Sequence, residues 1–353
     1  MLTLVNRRLR ISNDSNLRGE RKLVKCHRIL YDLNVTSGFY VIDIDFLTEL
    51  HTNCATQPKS PLIMMLDKNL GHTLDKELFN RFQILPYENS SKKDYVQVQD
   101  GNVFRLLPKS ISYLQIGAIH IPANIPQFLQ FWKRSRRVDC KNVLARDEEE
   151  LENRTIPLNG IKAIASVRDI FLSFGAFPFI HGGSLLGWYR ECSLIPHTYD
   201  ADFGVRIDEM SPSIQYYLRT LPKAADFALY RALGMLSDGY ELTIYSWDFF
   251  FSIDIFGIYD EGDKSWCGGT SETLQKFRYY YPKIDDFCSA DLLDHHFFIP
   301  CNVEGVLEAE YGKEWAKDFH TKAYGWSSSA KNVKHVGQWP AELKKDVYQI
   351  FLE

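Results

Sequence analysis

The sequence predicts an α/β (α+β) fold in two domains, a smaller α/β domain followed by a domain with a mixed sheet. The chain has 353 residues, of which 45% are hydrophobic, so it can bury more than one core. Short apolar runs typical of strands occur in both halves, and segments with helical spacing lie between them. An abrupt change of composition separates the two halves.

Strand and hairpin patterns dominate the first half. The apolar runs at residues 61–66 and 113–121 predict strands, and residues 95–106 alternate around Asp100-Gly101 as a hairpin does. Residues 125–132 carry apolar side chains at helical spacing. This half is therefore predicted to be an α/β domain covering residues 1–137, and it shows no motif that indicates chemistry.

A charged segment follows the first half. A basic cluster at residues 133–137 gives way to the acidic run 147–150, and charge blocks of this kind are usually solvated surface. We expect an exposed linker at residues 138–156, with a second domain at residues 157–353.

The second half opens with a helix, a strand and a glycine turn. Residues 161–174 have an amphipathic helical period, and Gly175 follows as a C-terminal cap. Residues 177–180 predict a short strand, His181-Gly-Gly-Ser184 a turn, and residues 185–190 a new helix. This order places the glycine turn between a strand and a helix.

Charge and cysteine content restrict the function classes. The net charge of −4 and the pI near 6.2 give no general attraction to nucleic acid, so we expect no nucleic-acid partner. The seven cysteines form no C-x-x-C pair, and ordinary buried thiols are expected. Cys288 and Cys301 flank His295 and His296, which leaves a metal cluster as the alternative, but the spacing matches no zinc pattern.

Membrane and secretion signals are weak in the sequence. No apolar stretch approaches the ~20 residues of a membrane-spanning helix, and the first ten residues are too basic for a signal-peptide core. Asn13, Asn34, Asn89 and Asn153 begin triplets that fit the N-glycosylation pattern, which favours a secretory lumen slightly.

Gly182, Gly183 and Ser184 are candidates for phosphate binding. Glycines allow a tight turn, and a helix N-terminus offers free amides beside the serine hydroxyl. The same three residues are also common in ordinary turns, so the pattern needs support from its neighbours.

Asp200 and Asp202 are the first candidate metal ligands. They lie two residues apart in a segment that reads as a strand, so both side chains point to one face. Paired carboxylates suit Mg²⁺ or Mn²⁺, which prefer oxygen ligands and substrate phosphates. The alternative is a solvated strand end.

Asp254 interrupts the apolar strand predicted at residues 249–256. An unpaired buried carboxylate is costly, and metal coordination would remove that cost. A third carboxylate could also orient or deprotonate an attacking hydroxyl. The alternatives are an exposed strand end or an ion pair with an arginine.

These residues resemble the LicD and fukutin family of the nucleotidyltransferase fold. The glycine turn, the Asp-x-Asp pair and the single strand aspartate follow the order of that superfamily's signature. More specifically, Gly183-Ser-Leu-Leu-Gly-Trp-Tyr-Arg190 and Ile195-Pro-His-Thr-Tyr-Asp-Ala-Asp202 are similar to the family's segments. The resemblance covers residues 161–353, and residues 1–137 are similar to the family's N-terminal domain. One departure is Thr198-Tyr199, where LicD proteins often carry a longer acidic run.

The resemblance implies a Mg²⁺- or Mn²⁺-dependent phosphotransferase with Asp200, Asp202 and Asp254 as metal ligands and catalytic residues. It would move a ribitol 5-phosphate-like group from a CDP-alcohol donor to a glycan on a glycoprotein, beside a partner transferase. Arg190 and His197 would bind phosphate or be structural. The alternatives are transfer of the nucleotide itself and a non-catalytic subunit that binds glycan or a partner. The family also implies the Golgi lumen, whereas the lack of a visible anchor makes the cytoplasm the alternative.

Overall fold

The computed structural model describes residues 38–53, 61–70, 82–222 and 225–352. The chain divides into two compact units, Met1–Arg137 and Val138–Glu353. Within the described residues, no helix is long and apolar enough to cross a membrane.

The first unit is built mainly from short strands. Its described elements are β1 (Phe39–Val41), α1 (Ile44–Asn53), β2 (Leu62–Asp67), β3 (Phe82–Glu88), β4 (Tyr95–Asp100), β5 (Val103–Pro108), β6 (Tyr113–Ile116), β7 (Ile119–Pro122) and α2 (Ile125–Lys133). The strands form a mixed sheet in the order β5-β4-β3-β2-β1-β7-β6, with β1–β7 and β2–β3 parallel.

The predicted hairpin is present as β4 and β5. The run at residues 113–121, predicted as one strand, is instead the hairpin of β6 and β7, because the chain reverses at Gly117 with φ of +59°. Glycine adopts this left-handed conformation without the steric cost that a Cβ would add. The prediction of a smaller α/β domain is confirmed.

The second unit contains the larger sheet. Its described elements are α3 (Glu148–Glu152), α4 (Ile161–Ser173), β8 (Phe179–Ile180), α5 (Gly182–Glu191), β9 (Asp200–Arg206), α6 (Pro212–Arg219), β10 (Phe227–Met235), β11 (Asp238–Ser246), β12 (Phe251–Glu261), β13 (Lys264–Thr270), β14 (Gln275–Pro282), β15 (Phe287–Leu292), β16 (His295–Pro300), α7 (Val303–Tyr311), β17 (Val333–Gln338), α8 (Lys344–Val347) and β18 (Tyr348–Ile350).

The main path of this sheet runs β15-β16-β8-β9-β12-β11-β10-β18, and β13, β14 and β17 extend it from β12. Strands β9 and β12 are parallel, as are β8 and β16, whereas the remaining pairs are antiparallel. The predicted mixed α/β sheet is confirmed. The parallel pair β9–β12 lies at the middle of the path.

The two faces of this central sheet differ in chemistry. Side chains alternate along a strand, so residues two apart share a face. Phe203 on β9, Leu242 on β11 and Ile255 on β12 are fully buried on one face. Asp202 and Asp254 lie on the opposite face. The apolar face anchors the strands, and the other face is left for polar groups.

Residues 138–156, predicted to be an exposed linker, have many exposed side chains but do not form a separate linker. They belong to the second unit, and a disulfide joins Cys140 to Cys192 at the end of α5. The amides of Lys141 and Val143 donate to the carbonyls of Tyr189 and Arg190, at 2.8 Å each. The segment is therefore fastened along α5.

The contacts of Arg146 explain why the charge pattern did not predict that residues 138–156 pack against the rest of the second unit. The Arg146 side chain is only 4% exposed and forms paired hydrogen bonds of 2.7–3.0 Å with the carboxylates of Glu191 and Asp318. Charge runs are usually solvated, but here one buried charge pairs with carboxylates that are distant in sequence, the buried Glu191 and the partly exposed Asp318.

The expectation of buried thiols is wrong for four cysteines. Besides Cys140–Cys192, a second disulfide joins Cys288 on β15 to Cys301, which follows β16. Cys288 and Cys301 therefore cannot form the alternative metal cluster with His295 and His296. Cys267 is a free buried thiol, as expected, whereas Cys26 and Cys54 lie outside the described residues.

Candidate active site

Three carboxylates meet at the centre of the large sheet. Each of Asp200, Asp202 and Asp254 offers an oxygen, and these oxygens lie within 4.8 Å of one another. Asp202 on β9 is the direct partner of Asp254 on the parallel strand β12, and Asp200 precedes it by two residues on the same face. The structure therefore brings together all three of the acidic residues that the sequence singled out.

The glycine corner holds Asp202 in place. The Gly183 amide donates to Asp202 Oδ2 at 2.9 Å, and the amide of Asp202 donates to Ser184 Oγ at 2.9 Å. Gly182 has φ of +48°, and a Cβ there would lie 3.0 Å from Asp202 Oδ2. Helix α5 begins at Gly182, three residues earlier than predicted, because the glycines form its first turn. In this structure these residues orient a carboxylate, and phosphate binding by them stays a prediction.

Asp200 is fixed from the preceding loop. The hydroxyl of Thr198 donates to Asp200 Oδ1 at 3.0 Å. Burial raises the pKa of Asp200, and the Thr198 hydrogen bond opposes this shift. Thr198 is the residue at which the chain departs from the acidic run common in LicD proteins, and it binds a carboxylate.

Asp254 belongs to a row of polar side chains that crosses four strands. Asp202, Asp254, Thr243 on β11 and Arg231 on β10 are successive cross-strand partners. The Arg231 Nε donates to Thr243 Oγ1 at 2.8 Å, and the Thr243 hydroxyl donates to Asp254 Oδ1. An arginine can only donate, so the Thr243 hydroxyl hydrogen must point to Asp254. No sequence motif indicated Thr243 or Arg231; the only signal for Arg231 is that it is the one charged residue of β10.

The carboxylates are electrostatically unfavourable to one another. Burial raises the pKa of Asp254 to about 6, and burial together with the charges of Asp200 and Asp254 raises the pKa of Asp202 well above its usual range. Glu241 is a further buried carboxyl beside Asp254, and burial raises its pKa to about 8. The site therefore concentrates acidic side chains away from solvent.

The donor set fits a hard divalent cation. Its ligand atoms are carboxylate oxygens held on two adjacent strands, which suits Mg²⁺ or Mn²⁺. A cation there would relieve both the burial cost and the mutual repulsion that raise these pKa values. Asp254 does have an arginine neighbour, since Arg231 Nη2 lies 3.9 Å from Asp254 Oδ1. That distance is longer than a direct hydrogen bond.

Arg190 has structural partners in this fold. Its side chain is 1% exposed, its guanidinium donates to Glu191 Oε1, and its Nη1 donates to the carbonyl of Lys317 at 2.9 Å. It lies in the last turn of α5, at the opposite end from Gly182. The buried ion pair with Glu191 supports the structural role that the sequence left open.

His197 also has local partners. Its Nδ1 accepts a hydrogen bond from the Thr321 amide at 3.2 Å, and its ring stacks on His320 with centroids 4.2 Å apart. Burial and the neighbouring His320 lower the pKa of His197. It is therefore a neutral acceptor at Nδ1 in this arrangement, and its contact with phosphate stays a prediction.

A second polar cluster, which includes Glu310, lies close enough to Asp202 to influence its pKa. Glu310 on α7 is buried and accepts a hydrogen bond from the Tyr281 hydroxyl at 2.8 Å, and its charge contributes to the raised pKa of Asp202. His181, fully buried beside Tyr281, has its pKa lowered to about 4 by burial. No sequence pattern connects Glu310 with Asp202, from which it is more than a hundred residues distant in the chain.

Two family models match the chain. The LicD/FKTN/FKRP nucleotidyltransferase domain matches residues 176–302, which include all three aspartates. The W02B3.4-like N-terminal domain matches residues 25–139.

Curated relatives extend these matches. The chain is 34% identical to the uncharacterised protein W02B3.4 of Caenorhabditis elegans over 335 residues, covering 92% of this chain and 85% of that protein. It is 36% identical to T07A5.1 of the same organism over 277 residues, covering 76% and 72%. It is 29% identical to the human ribitol-5-phosphate transferase FKTN over 239 residues, covering 65% of this chain and 50% of FKTN. The match thus spans half the length of FKTN. On its sequence matches and its mixed α/β fold, the chain belongs to the fukutin-like LicD family.

Proposed function

We propose that this chain is a divalent-metal-dependent phosphotransferase. It moves a phosphorylated alcohol, of the ribitol 5-phosphate kind, from a CDP-activated donor to a sugar hydroxyl of a glycoprotein glycan and releases CMP. The observation that carries the proposal is the buried set of Asp200, Asp202 and Asp254, whose oxygens lie within 4.8 Å of one another. The similarity to ribitol-5-phosphate transferases supports the choice of reaction.

The buried carboxylates favour a cation at the site. Two of them face each other across parallel strands, and burial raises the pKa of all three. Natural folds seldom retain buried like charges without a counter-ion, because each charge costs several kcal/mol to desolvate. Mg²⁺ or Mn²⁺ bound by Asp200, Asp202 and Asp254 would neutralise charge on the diphosphate and on the leaving CMP.

The residues of the chain have separate tasks in this scheme. Gly183 and Ser184 hold Asp202, and Thr198 holds Asp200, so both carboxylates are oriented before substrate arrives. Thr243 binds Oδ1 of Asp254 and leaves Oδ2 without a hydrogen bond among the described residues. A pKa of about 6 lets Asp254 remain ionised near neutral pH and accept a proton from an acceptor hydroxyl.

The chemical step is a single displacement at phosphorus. The acceptor oxygen forms a bond to the phosphorus that carries the alcohol, and the bond from that phosphorus to the bridging oxygen of CMP breaks. The bridging oxygen leaves with its electron pair on CMP, and the acceptor proton passes to Asp254. Protein groups contribute mainly position and electrostatic stabilisation in reactions of this class.

CMP release from defined donors tests the proposal. The purified chain is incubated with CDP-ribitol, CDP-glycerol or CDP-choline and Mg²⁺, with an O-mannosyl glycopeptide as acceptor. We expect CMP release that requires Mg²⁺ and is absent from the Asp202→Asn variant. A complete lack of Mg²⁺-dependent release from all three donors, with folded protein, argues for the non-catalytic binding subunit.

The position of a radiolabel separates two kinds of transfer. If the phosphorus attached to the alcohol is labelled, phosphotransfer places the label in the glycopeptide. If the nucleotide itself is transferred, as the nucleotidyltransferase domain allows, the label stays with the released alcohol phosphate. Label in the glycopeptide supports our proposal, and label on the free alcohol phosphate contradicts it.

We also propose that the chain works in the lumen of the secretory pathway, with the Golgi as the expected compartment. Two disulfides among the described residues, Cys140–Cys192 and Cys288–Cys301, support this location because such bonds are rare in the reducing cytosol. Asn89 and Asn153 are exposed acceptors in glycosylation triplets. When the full-length protein is expressed in animal cells, a mobility shift on endoglycosidase treatment supports the lumen, and wholly reduced, unglycosylated protein contradicts it.

A further inference from the structure

Among the described residues, Arg231 is a cation that lies close to the buried carboxylates. It lies on β10, two strands from Asp254, and its guanidinium reaches back along the polar row. Its Nη2 lies 3.2 Å from Glu241 Oε1 and 3.9 Å from Asp254 Oδ1. Its positive charge lowers the pKa of both Asp200 and Asp254. Arg231 therefore influences the aspartates of both strands.

Only some of the guanidinium N–H groups of Arg231 form hydrogen bonds within the described residues. Nε donates to Thr243 and Nη2 donates to Glu241, whereas Nη1 forms no hydrogen bond within the described residues. The side chain remains 31% exposed, in contrast to Arg190, whose side chain is 1% exposed. An arginine presents five N–H groups in a fixed plane, so binding two partners fixes the direction of the remaining donors. The guanidinium is thus rigidly placed with donors left for a ligand.

We infer that Arg231 binds phosphate oxygens of the donor's diphosphate, beside the carboxylate cluster. This inference rests on the proposed function and adds a residue to its substrate site. A diphosphate needs positive charge on more than one side, and the three aspartates can supply it only through a bound cation. Arg231 is the side chain of this row that carries its own positive charge, and planar guanidinium donors match phosphate oxygens well.

A purely structural role explains less of the geometry. A guanidinium that served only to neutralise Glu241 would have no need to lie within 4 Å of Asp254 as well. The donor-binding role uses both the exposure of Arg231 and its position next to the aspartates.

Calorimetric titration with Mn²⁺ and CDP tests this role without turnover, because CDP carries no alcohol to transfer. The parent should bind Mn²⁺ and then CDP. Arg231→Gln should keep its Mn²⁺ affinity but lose roughly 10- to 100-fold in CDP affinity, the usual effect of removing one charge-assisted hydrogen bond. Arg278→Gln is the matched control: its side chain is 26% exposed and pairs with Asp238, and its CDP affinity should equal that of the parent.

The possible results separate this inference from the proposed function. A parent that binds Mn²⁺ but not CDP contradicts both. CDP affinity unchanged in Arg231→Gln overturns the inference alone, and so does a loss of Mn²⁺ binding equal to the loss of CDP binding, because Arg231 would then only organise the aspartates. If the glutamine variant does not fold, Arg231→Lys decides. Lysine keeps the charge but lacks the planar fork, so CDP affinity equal to the parent's overturns the inference.

Discussion

Asp202 and Asp254 are direct partners on two parallel strands, and both side chains point to the polar face of the sheet. About fifty residues separate them in the chain, yet the pairing of β9 with β12 places their carboxylates side by side. Adjacent strands lie about 4.8 Å apart, so two such groups can share one cation.

The Asp200 and Asp202 pair should be essential for metal binding but not for folding. Changing either residue to asparagine keeps its shape and removes one charge, so we expect loss of Mn²⁺ binding and a fall in transfer rate of at least roughly 100-fold. Titration with Mn²⁺ and the CMP-release assay measure the two effects. Asp263→Asn, in the exposed turn after β12, should change neither. Unchanged turnover in Asp200→Asn or Asp202→Asn would contradict the proposed metal site.

Asp254 should make the metal-free protein less stable as pH rises. Its pKa is raised from 3.8 to about 6 in the folded state, so the folded chain binds more protons than the unfolded chain between these values. The stability that the protonated Asp254 carboxyl contributes is fully present below the unfolded pKa and is lost as pH rises through about 6. The free energy of unfolding should fall by on the order of 2–3 kcal/mol over this range.

Chemical denaturation at several pH values checks this dependence. Asp254→Asn cannot titrate, so we expect a flatter pH profile and stability at neutral pH equal to or above that of the metal-free parent. Its transfer activity should be strongly reduced while the donor still binds. Mn²⁺ should stabilise the parent at neutral pH by mass action. If Asp254→Asn instead unfolds while the metal-free parent is stable, Asp254 is chiefly the ion-pair partner of Arg231.

Gly182→Ala should disturb Asp202 directly. The new Cβ would lie 3.0 Å from Asp202 Oδ2 and would occupy a backbone conformation with φ of +48°. We expect weaker Mn²⁺ binding as well as a loss of stability. Gly262→Ala is a matched control, because Gly262 has φ of +63° but no atom within 4 Å of the added Cβ. The control should show only the backbone cost, about 1 kcal/mol, and equal Mn²⁺ affinities in the two variants would contradict the role given to Gly182.

Arg190→Gln should act on stability rather than on donor binding. Removing one partner of a buried ion pair leaves Glu191 with less compensation and costs roughly 3–5 kcal/mol. Arg206→Gln is the comparison, since the Arg206–Asp260 pair is more exposed and should cost less. Thermal unfolding and the donor KM are measured on both. A stable Arg190→Gln variant with a raised donor KM would support the alternative that Arg190 binds phosphate.

The Cys140–Cys192 disulfide should protect residues 138–156 from proteases. Limited proteolysis of the oxidised parent should spare this segment, whereas the Cys140→Ser/Cys192→Ser variant should be cut there and lose roughly 2–4 kcal/mol of stability. The Cys288→Ser/Cys301→Ser variant, which opens a hairpin, should keep residues 138–156 protected. Early cleavage of the oxidised parent between Arg137 and Arg154 would contradict this prediction and would support the exposed linker that the charge pattern predicted.

Local features of the site could be predicted from the sequence, and long-range ones could not. The two-residue period places Asp200 and Asp202 on one face, and the apolar surroundings of Asp254 indicate a buried strand. That β12 pairs with β9 is a tertiary fact, since no local pattern specifies which strands become neighbours. Thr243 and Arg231 were missed for the same reason, because they become part of the site only through the antiparallel pairing of β11 with β12 and of β10 with β11.

The register of β12 on β9 has a consequence for how this chain can vary. Side chains alternate faces along a strand, so insertion of one residue between Phe251 and Asp254 would turn the aspartate into the apolar core and expose Ile253 or Ile255 in its place. Such an insertion should remove the metal ligand and disrupt the core together. Length changes are instead tolerable in the turn between β11 and β12, where Phe250 is 75% exposed. In this strand, folding and the proposed metal site therefore place the same limit on insertions and deletions.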